Sequence, residues 1–430
     1  MDYDVAVIGA GWAGFNASLR AKELGLKVAL IEKEDIGGTC LNRGCIPTKT
    51  LIQSAKIYSL TRKASQFGIK NSDSKINFRE IQARKDKIIR QLRQGMQFML
   101  KDIDFFQGEA QFLSTDTLKI KDKELKAKFI LIATGSKPAE LADLKFDGKK
   151  IISSDEILEL KKIPQSLLII GGGVIGCEFA SLFNVLGTQV TIVEKMPQLL
   201  PSEDKEIARR LENLFKKKGI KVNTGTDLAS FDLKNYEIVL VCVGRVSHAQ
   251  GLGLDAFTFK TQNGKVVVDE YLKTNIPNIY AAGDCTGKVM LAHFAAYQGR
   301  IAAENIANPD SAKKADNNCI PNCIFTDPEI ASIGLNEESA RNSAKVIGIK
   351  KFDFLGLGMA RIRDETEGLL KIILDQKSDE ILGASIMGAQ ATELIGILNV
   401  AISCRIKSSY LRETIFAHPT LSESITEALR

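Results

Sequence analysis

No run of 18 uninterrupted apolar residues occurs anywhere in the chain, so no segment reads as a transmembrane helix and no membrane insertion is expected. Histidine is scarce, with His248, His293 and His418 the only three in 430 residues. That is too few to build the usual zinc sites, and although Cys319 and Cys323 are suitably spaced, no second ligand pair stands near them. No metal is therefore expected. A strong charge of one sign is also missing: 58 basic residues face 52 acidic ones, a net +6. Basic clusters such as Arg84–Lys87 and Lys216–Lys218 fall in helix-like patterns that also carry acids. They read as solvated faces, and nucleic acid is not an expected partner. The opening Met1-Asp2-Tyr3-Asp4 lacks the basic, then apolar, character of an export signal, which points to a cytoplasmic protein.

Cysteine is present but not in the form of a disulfide framework. Eight cysteines in an intracellular chain of this length do not suggest structural bridges. Cys177, Cys242, Cys285, Cys319, Cys323 and Cys404 lie scattered, several in apolar runs where a free thiol behaves as a small hydrophobe. The remaining two, Cys40 and Cys45, are grouped.

Two segments carry the sequence pattern of a dinucleotide site. Tyr3 to Ile8 reads as a buried parallel strand and runs straight into Gly9-Ala10-Gly11-Trp12-Ala13-Gly14. A helix-like stretch then leads to Gly25, and a second strand from Lys27 to Ile31 ends on Glu32. Glycines allow the tight turn and a close backbone approach to a pyrophosphate, the helix N-terminus favours its charge, and the acid takes ribose hydroxyls. The arrangement repeats: Leu167–Ile170, then Gly171, Gly173 and Gly176, a helix to Leu186, and a strand Gln189–Val193 ending on Glu194. A carboxylate at Glu194 suits a free 2′-hydroxyl and repels a 2′-phosphate, so NAD is favoured over NADP. Lys195 beside it is a mild counter-signal.

Between the two lies Gly37-Gly38-Thr39-Cys40-Leu41-Asn42-Arg43-Gly44-Cys45-Ile46-Pro47-Thr48-Lys49, continuing into a helical pattern through Leu51, Ala55 and Tyr58. A loop entering a helix can bring sulfurs five residues apart together. The helix N-terminus and Lys49, one turn beyond Cys45, both favour a thiolate there.

This stretch resembles the redox motif of the class I pyridine nucleotide-disulfide oxidoreductases, and within that family most closely the dihydrolipoyl dehydrogenases. The resemblance runs end to end. Ala133-Thr134-Gly135 is similar to a flavin-side loop, Tyr280-Ala281-Ala282-Gly283-Asp284 with Met290-Leu291-Ala292-His293 to a second flavin-contact motif, Pro321 to Gly334 to the start of a dimerisation domain, and His418-Pro419-Thr420-Leu421-Ser422-Glu423 to a C-terminal catalytic signature. The resemblance implies two Rossmann-like doubly wound α/β domains for FAD and NAD plus a C-terminal α/β dimerisation domain. The expected boundaries are 1–142 for FAD, 143–262 for NAD, 263–315 for a central segment completing the FAD site and 316–430 for the interface.

It also implies residue roles. Cys40 would be the interchange sulfur, joined to Cys45 as a redox disulfide, and Cys45 the sulfur facing the flavin. Lys49 would lie by the reactive ring nitrogen, paired with Glu178. His418 would be the acid–base, an imidazole titrating near ~6.5 when unperturbed, oriented by Glu423 and contributed by the second subunit of a homodimer. FAD would be held by Gly9, Gly11, Gly14, Glu32, Thr39, Lys49, Ala110, Thr134, Gly135, Asp284 and Ala292, and NAD by Gly171, Gly173, Gly176, Glu194 and Gly244. His293 reads as packing at the flavin and His248 as an exposed loop residue. The reaction implied is oxidation of protein-bound dihydrolipoamide by NAD, with a separate lipoylated protein of a 2-oxo acid dehydrogenase or glycine cleavage complex as partner. Glutathione reductase-like and mercuric reductase-like activities are the rivals. Glu194 argues against the first, and the want of a further cysteine pair after Glu423 against the second. A non-catalytic assembly subunit of the same fold is the alternative of a different class.

One departure from the family pattern is expected to matter. Relatives carry several antiparallel strands before the Val243-Gly244-Arg245 motif, and here Asn223 to Asn235 is too short for them. The nucleotide-binding face precedes the gap and should survive; NAD affinity and the packing of the domain's outer face are what the gap bears on. A long amphipathic helix is expected over 78–101, and short strands from Leu118 to Ala133.

Overall fold

Tyr3–Ile8 and Val28–Glu32 are near-continuous apolar runs. Each forms a strand buried along most of its length, as parallel strands covered on both faces by helices must be. In the computed structural model, which describes residues 1–70, 74–254, 257–317, 319–343 and 345–430, these two strands pair in parallel and head a seven-stranded sheet. The sheet continues on one side to Asp104–Gln107 and on the other to the long strand Lys123–Ile132. The first half of that long strand closes an antiparallel meander with Ala110–Phe112 and Thr117–Ile120. Its second half pairs in parallel with Ile279–Ala281, so the chain returns to this sheet after leaving it for some 150 residues. The long helix expected from apolar spacing is Phe78–Met99, capped by Asn77 and turning Phe78, Ile89 and Met96 inward.

The second sheet has five parallel strands, in the order Lys221–Thr224, Gln189–Glu194, Ser166–Ile170, Ile238–Val241 and Ile151–Ile152. After Thr224 there is no meander. Two 3₁₀ turns, Leu228–Ser230 and Leu233–Asn235, fill the gap, capped by the carboxylates of Asp227 and Asp232. Leu228, Phe231, Leu233 and Tyr236, joined by Leu141, Leu144 and Phe146, pack onto Leu168, Ile170, Val193, Val239 and Val241. The outer face of this domain is thus covered by side chains rather than by strands.

The third sheet is antiparallel, in the order Asn322–Ile324, Glu329–Gly334, Ile381–Gly388, Leu369–Asp375 and Ile347–Asp353. The helices Ala391–Ser403 and Glu423–Leu429 close its core through Leu394, Leu398 and Ile425. Lys371 is tied into the second domain from this sheet: 3 % exposed, its ammonium lies 2.8 Å from Asp204 and 2.5 Å from Glu337. No helix among the described residues is long and apolar enough to cross a membrane.

Candidate active site

Both glycine loops are built alike, and the reason is steric. A Cβ on Gly14 would stand 1.8 Å from the carbonyl oxygen of Gly9, and one on Gly176 would stand 2.0 Å from that of Gly171. Only glycine lets each helix pass so close to its strand. Gly9 and Gly171, both at positive φ, would likewise drive a Cβ to 2.4 Å from the carbonyl oxygens of Ala133 and Cys242. The helices Trp12–Glu23 and Val174–Val185 therefore begin hard against the strand ends, with their first N–H groups turned outward.

The acids that end the second strand of each unit close these loops from behind. Glu32 accepts from the N–H of Ala10 at 2.7 Å and of Glu34 at 2.8 Å. Glu194 does the same with Gly172 at 2.6 Å and Met196 at 2.7 Å. Burial pushes the Glu32 carboxyl above its usual range, opposed by the Ala10 N–H.

One continuous cavity of about 1610 Å³ joins the two loops. Its wall includes Gly11, Thr39, Cys40, Cys45, Lys49, Gly135, Glu178, Asp284 and Ala292 on one side, and Gly171, Gly173, Glu194 and Gly244 on the other. A Cβ at Gly135, Gly173 or Gly244 would meet nothing within 4 Å, so Gly135 on the first side and Gly173 and Gly244 on the second leave two cradles open to the cavity. Such cradles suit dinucleotides whose phosphates need backbone contact, and the donor set fits FAD and NAD. Gly9, Gly14, Glu32, Thr134 and Gly176 stand behind the wall and shape it. Ala110 is not on this wall; its methyl is 2 % exposed and packs in the meander core, so any part it takes in holding FAD falls to its backbone. His293 lies on the wall. His248 is not an exposed loop residue. It is half-buried beside the flavin-side loop, accepting at its carbonyl from Thr134 Oγ1 and donating its N–H to Gly135 at 2.9 Å. Burial, then Lys33 and Lys137, hold its imidazole below the usual range.

Cys40 sits in the short helix Gly38–Arg43 and Cys45 is the first residue of the helix Cys45–Lys63. Gly44 between them has no room for a side chain, since a Cβ would reach 2.9 Å from the carbonyl oxygen of Thr39. Pro47 fits the first helical turn, where no intrahelical N–H bond is lost. The two sulfurs are present as thiols and hydrogen-bond one another. That bond lowers the Cys45 thiol to about 7, with burial opposing and the Lys49 ammonium assisting. The same bond, then burial, raises Cys40. The pair is thus polarised, with Cys40 holding the proton and Cys45 carrying the charge.

Lys49 reaches Glu178 with its ammonium 2.8 and 2.7 Å from the two carboxylate oxygens. Glu178 is 4 % exposed and also accepts the Phe325 N–H at 2.9 Å, while the Phe325 ring lies 4.7 Å from the ammonium. The contact therefore knots all three domains at one carboxylate. Phe325 is the member that sequence reasoning missed, because the contact runs through its backbone; the motif it belongs to was the only available signal. A second knot also went unread. Arg245 donates to Ser136 Oγ at 2.8 Å and Ser136 donates to Asp284 at 2.6 Å, an arrangement set by the antiparallel pairing of Ser136–Pro138 with Arg245–Ser247.

His418 and Glu423 form a dyad with Nδ1 and the carboxylate 2.8 Å apart, but not on this cavity. The imidazole is 80 % exposed. The Thr420 N–H, then His418, hold the Glu423 carboxyl below its usual range. The single chain brings together the cysteines, Lys49 and Glu178, and leaves this dyad on its surface.

Comparison with known proteins agrees with this architecture. Residues 3–299 match the pyridine nucleotide-disulphide oxidoreductase family and residues 320–429 match its dimerisation domain. A dihydrolipoyl dehydrogenase of Bacillus subtilis is 37% identical over 99% of this chain and 97% of its own length. One from Chlamydia muridarum is 39% identical over 99% and 96%. Among solved structures, the HOCl-induced flavoprotein disulfide reductase RclA from Escherichia coli superposes with a TM-score of 0.89 at 29% identity, covering 99% of both chains. With two glycine cradles on one cavity, a polarised cysteine pair between them and matches along nearly its whole length, the chain belongs to the pyridine nucleotide-disulphide oxidoreductase family, whose cofactors are FAD and NAD.

Proposed function

We propose that the chain is a dihydrolipoyl dehydrogenase, oxidising a protein-bound dihydrolipoamide with NAD as acceptor. The observation that carries this reading is the polarised pair, with Cys45 lowered to about 7 and Cys40 raised, on a cavity shared by both dinucleotide cradles. The curated relatives of that name, at 36–39% identity, support the substrate. In the oxidised enzyme Cys40 and Cys45 are joined as a disulfide. His418, from the second copy of a homodimer, takes a proton from one dihydrolipoyl thiol, and the resulting thiolate attacks Cys40. The Cys40–Cys45 bond breaks and Cys45 leaves as a thiolate, which its position at the helix N-terminus near Lys49 favours. The second substrate thiol then displaces Cys40 and closes the substrate's own disulfide. FAD, when bound, supplies the two-electron relay from Cys45 to the nicotinamide. Lys49, held by Glu178, places a fixed positive charge beside that relay, and Gly9, Gly11, Gly14, Glu32, Thr39, Thr134, Gly135, Asp284 and Ala292 hold the flavin nucleotide. Gly171, Gly173, Gly176, Glu194 and Gly244 hold NAD, with Glu194 selecting a free 2′-hydroxyl.

Exposure of the His418–Glu423 dyad supports its use in trans, and the dimerisation domain match supports the homodimer. A lipoylated protein is the partner this reading requires, and the cytoplasm is the compartment proposed for it. The likeness to RclA favours one second reading, a reductase of another disulfide. Steady-state rates separate the two. Dihydrolipoamide with NAD should turn over at least tenfold faster than glutathione disulfide with NADPH, and the reverse order would discard the assignment. Addition of dihydrolipoamide should also raise a long-wavelength flavin shoulder, which an inert assembly subunit would not give.

A further inference from the structure

The chain between Thr224 and Ile238 does more than patch the second domain. Gly225 N–H donates to the carbonyl of Met196 at 2.8 Å and Thr226 N–H to that of Glu194 at 3.1 Å. The segment is thereby pinned alongside the ribose-reading acid. From there Thr226, Asp227, Leu228, Ala229, Phe231 and Leu233 all line the cavity. Leu228, Phe231 and Leu233 have their other sides packed on Leu168, Ile170 and Val193, so the wall they form is backed by the sheet. Leu141 and Leu144, joined to each other by an isolated bridge, belong to the same apolar cluster and line the cavity with them. The cavity thus has an apolar wall that carries an aromatic ring and is pinned to Glu194 through Thr226. Such a wall suits a flat heteroaromatic base.

Asp227 follows Thr226, whose N–H is bound to the Glu194 carbonyl, and both acids line the cavity, with Lys195 next to Glu194 in the chain. One oxygen of Asp227 is used by the Ala229 N–H at 2.9 Å. Its other oxygen has no place in that cap. A doubly charged phosphate on the 2′-oxygen would meet two acids here, rather than the one that the fingerprint alone supplies.

We propose that Thr226–Leu233, the short segment standing in for the absent strands, holds the adenosine end of NAD, with Phe231 against the base and Asp227 acting beside Glu194 to exclude NADP. The inference deepens the NAD-linked reading and rests on it. The segment supplies affinity through Phe231 and selectivity through Asp227, two functions that separate by mutation.

Calorimetric titration of the FAD-loaded, oxidised protein with NAD, NADP and AMP tests both parts without turnover. Phe231→Ala should weaken NAD and AMP about tenfold. Phe231→Leu keeps apolar packing without the ring and should weaken both about threefold, which guards against misfolding of the alanine variant. Asp227→Asn, at an exposed position, should tighten NADP about fivefold and leave NAD within twofold. Parental NAD affinity in both Phe231 variants would overturn the first part, as would loss of NAD binding with AMP unaffected. No gain in NADP binding by Asp227→Asn would overturn the second. Failure to oxidise dihydrolipoamide, with these binding changes intact, would remove the substrate assignment and leave the nucleotide wall standing.

Discussion

Replacing Glu178 by alanine tests how far one carboxylate holds three domains together. Two kinds of loss are expected. The Phe325 N–H loses its acceptor at 2.9 Å, and an unsatisfied buried donor costs about 1–3 kcal/mol. The Lys49 ammonium loses both of its carboxylate contacts, but its side chain is 28% exposed. Water can therefore replace part of what is lost, and the roughly 3–5 kcal/mol of a fully buried broken pair falls to about 1–2. Glu178→Ala should then cost about 3 kcal/mol. Lys49→Met strands a carboxylate that is only 4 % exposed, and should cost at least as much. In the double variant neither charge is stranded, so the two losses should overlap by about 2 kcal/mol in a mutant cycle. Urea unfolding followed by far-UV circular dichroism and by flavin fluorescence is the assay, with coincidence of the two curves checked because a protein of several domains need not unfold in one step. Additivity within about 0.5 kcal/mol would refute the reasoning, since it would mean that the two groups do not act on each other.

Other consequences are simpler to measure. Cys40→Ala removes the hydrogen bond that holds the Cys45 thiol at about 7. A depressed thiol is a thiolate above that pH and loses reactivity as pH falls through it. The iodoacetamide rate profile of the reduced variant should therefore move its midpoint up toward the ordinary ~8.5, cutting the thiolate fraction at pH 7 about fifteenfold; an unmoved midpoint would contradict the polarised pair. His418→Gln should lower kcat with dihydrolipoamide by about 10²–10⁴, with far-UV circular dichroism and sedimentation checking that the fold and the dimer are kept. Gly176→Ala and Gly173→Ala should part company. The first drives a Cβ to 2.0 Å from a carbonyl oxygen and should lower the yield of folded protein. The second meets only open cavity and should fold normally but bind NAD more weakly by titration.

Local chemistry made the nucleotide and redox motifs readable. Gly9, Gly14, Gly171 and Gly176 are required by contacts within a few residues or with an adjacent strand end, so spacing alone announces them. The Cys40–Cys45 pair and the Lys49 turn are equally local. Other features depend on distant segments. Phe325 reaches Glu178 from 147 residues away through a backbone N–H, which no side-chain pattern encodes. The pleat that turns the Ala110 methyl into the core is set by its pairing with Thr117–Ile120. His248 seemed free in sequence because its partners, Thr134 and Gly135, lie more than 100 residues earlier. The gap after Thr224 could be counted, but not what fills it, since capped 3₁₀ turns have no apolar period to detect.

Glu194 has a consequence for anyone wishing to change the coenzyme. Its two oxygens already tie down Gly172 and Met196, so the group that selects the sugar is also the latch of the loop that receives it. Exchanging it for an arginine to welcome a phosphate would release two amide donors at once, in a place that is 8% exposed. Such an exchange would trade selectivity against the shape of the receptor itself, and a successful redesign would have to rebuild the latch before altering the preference.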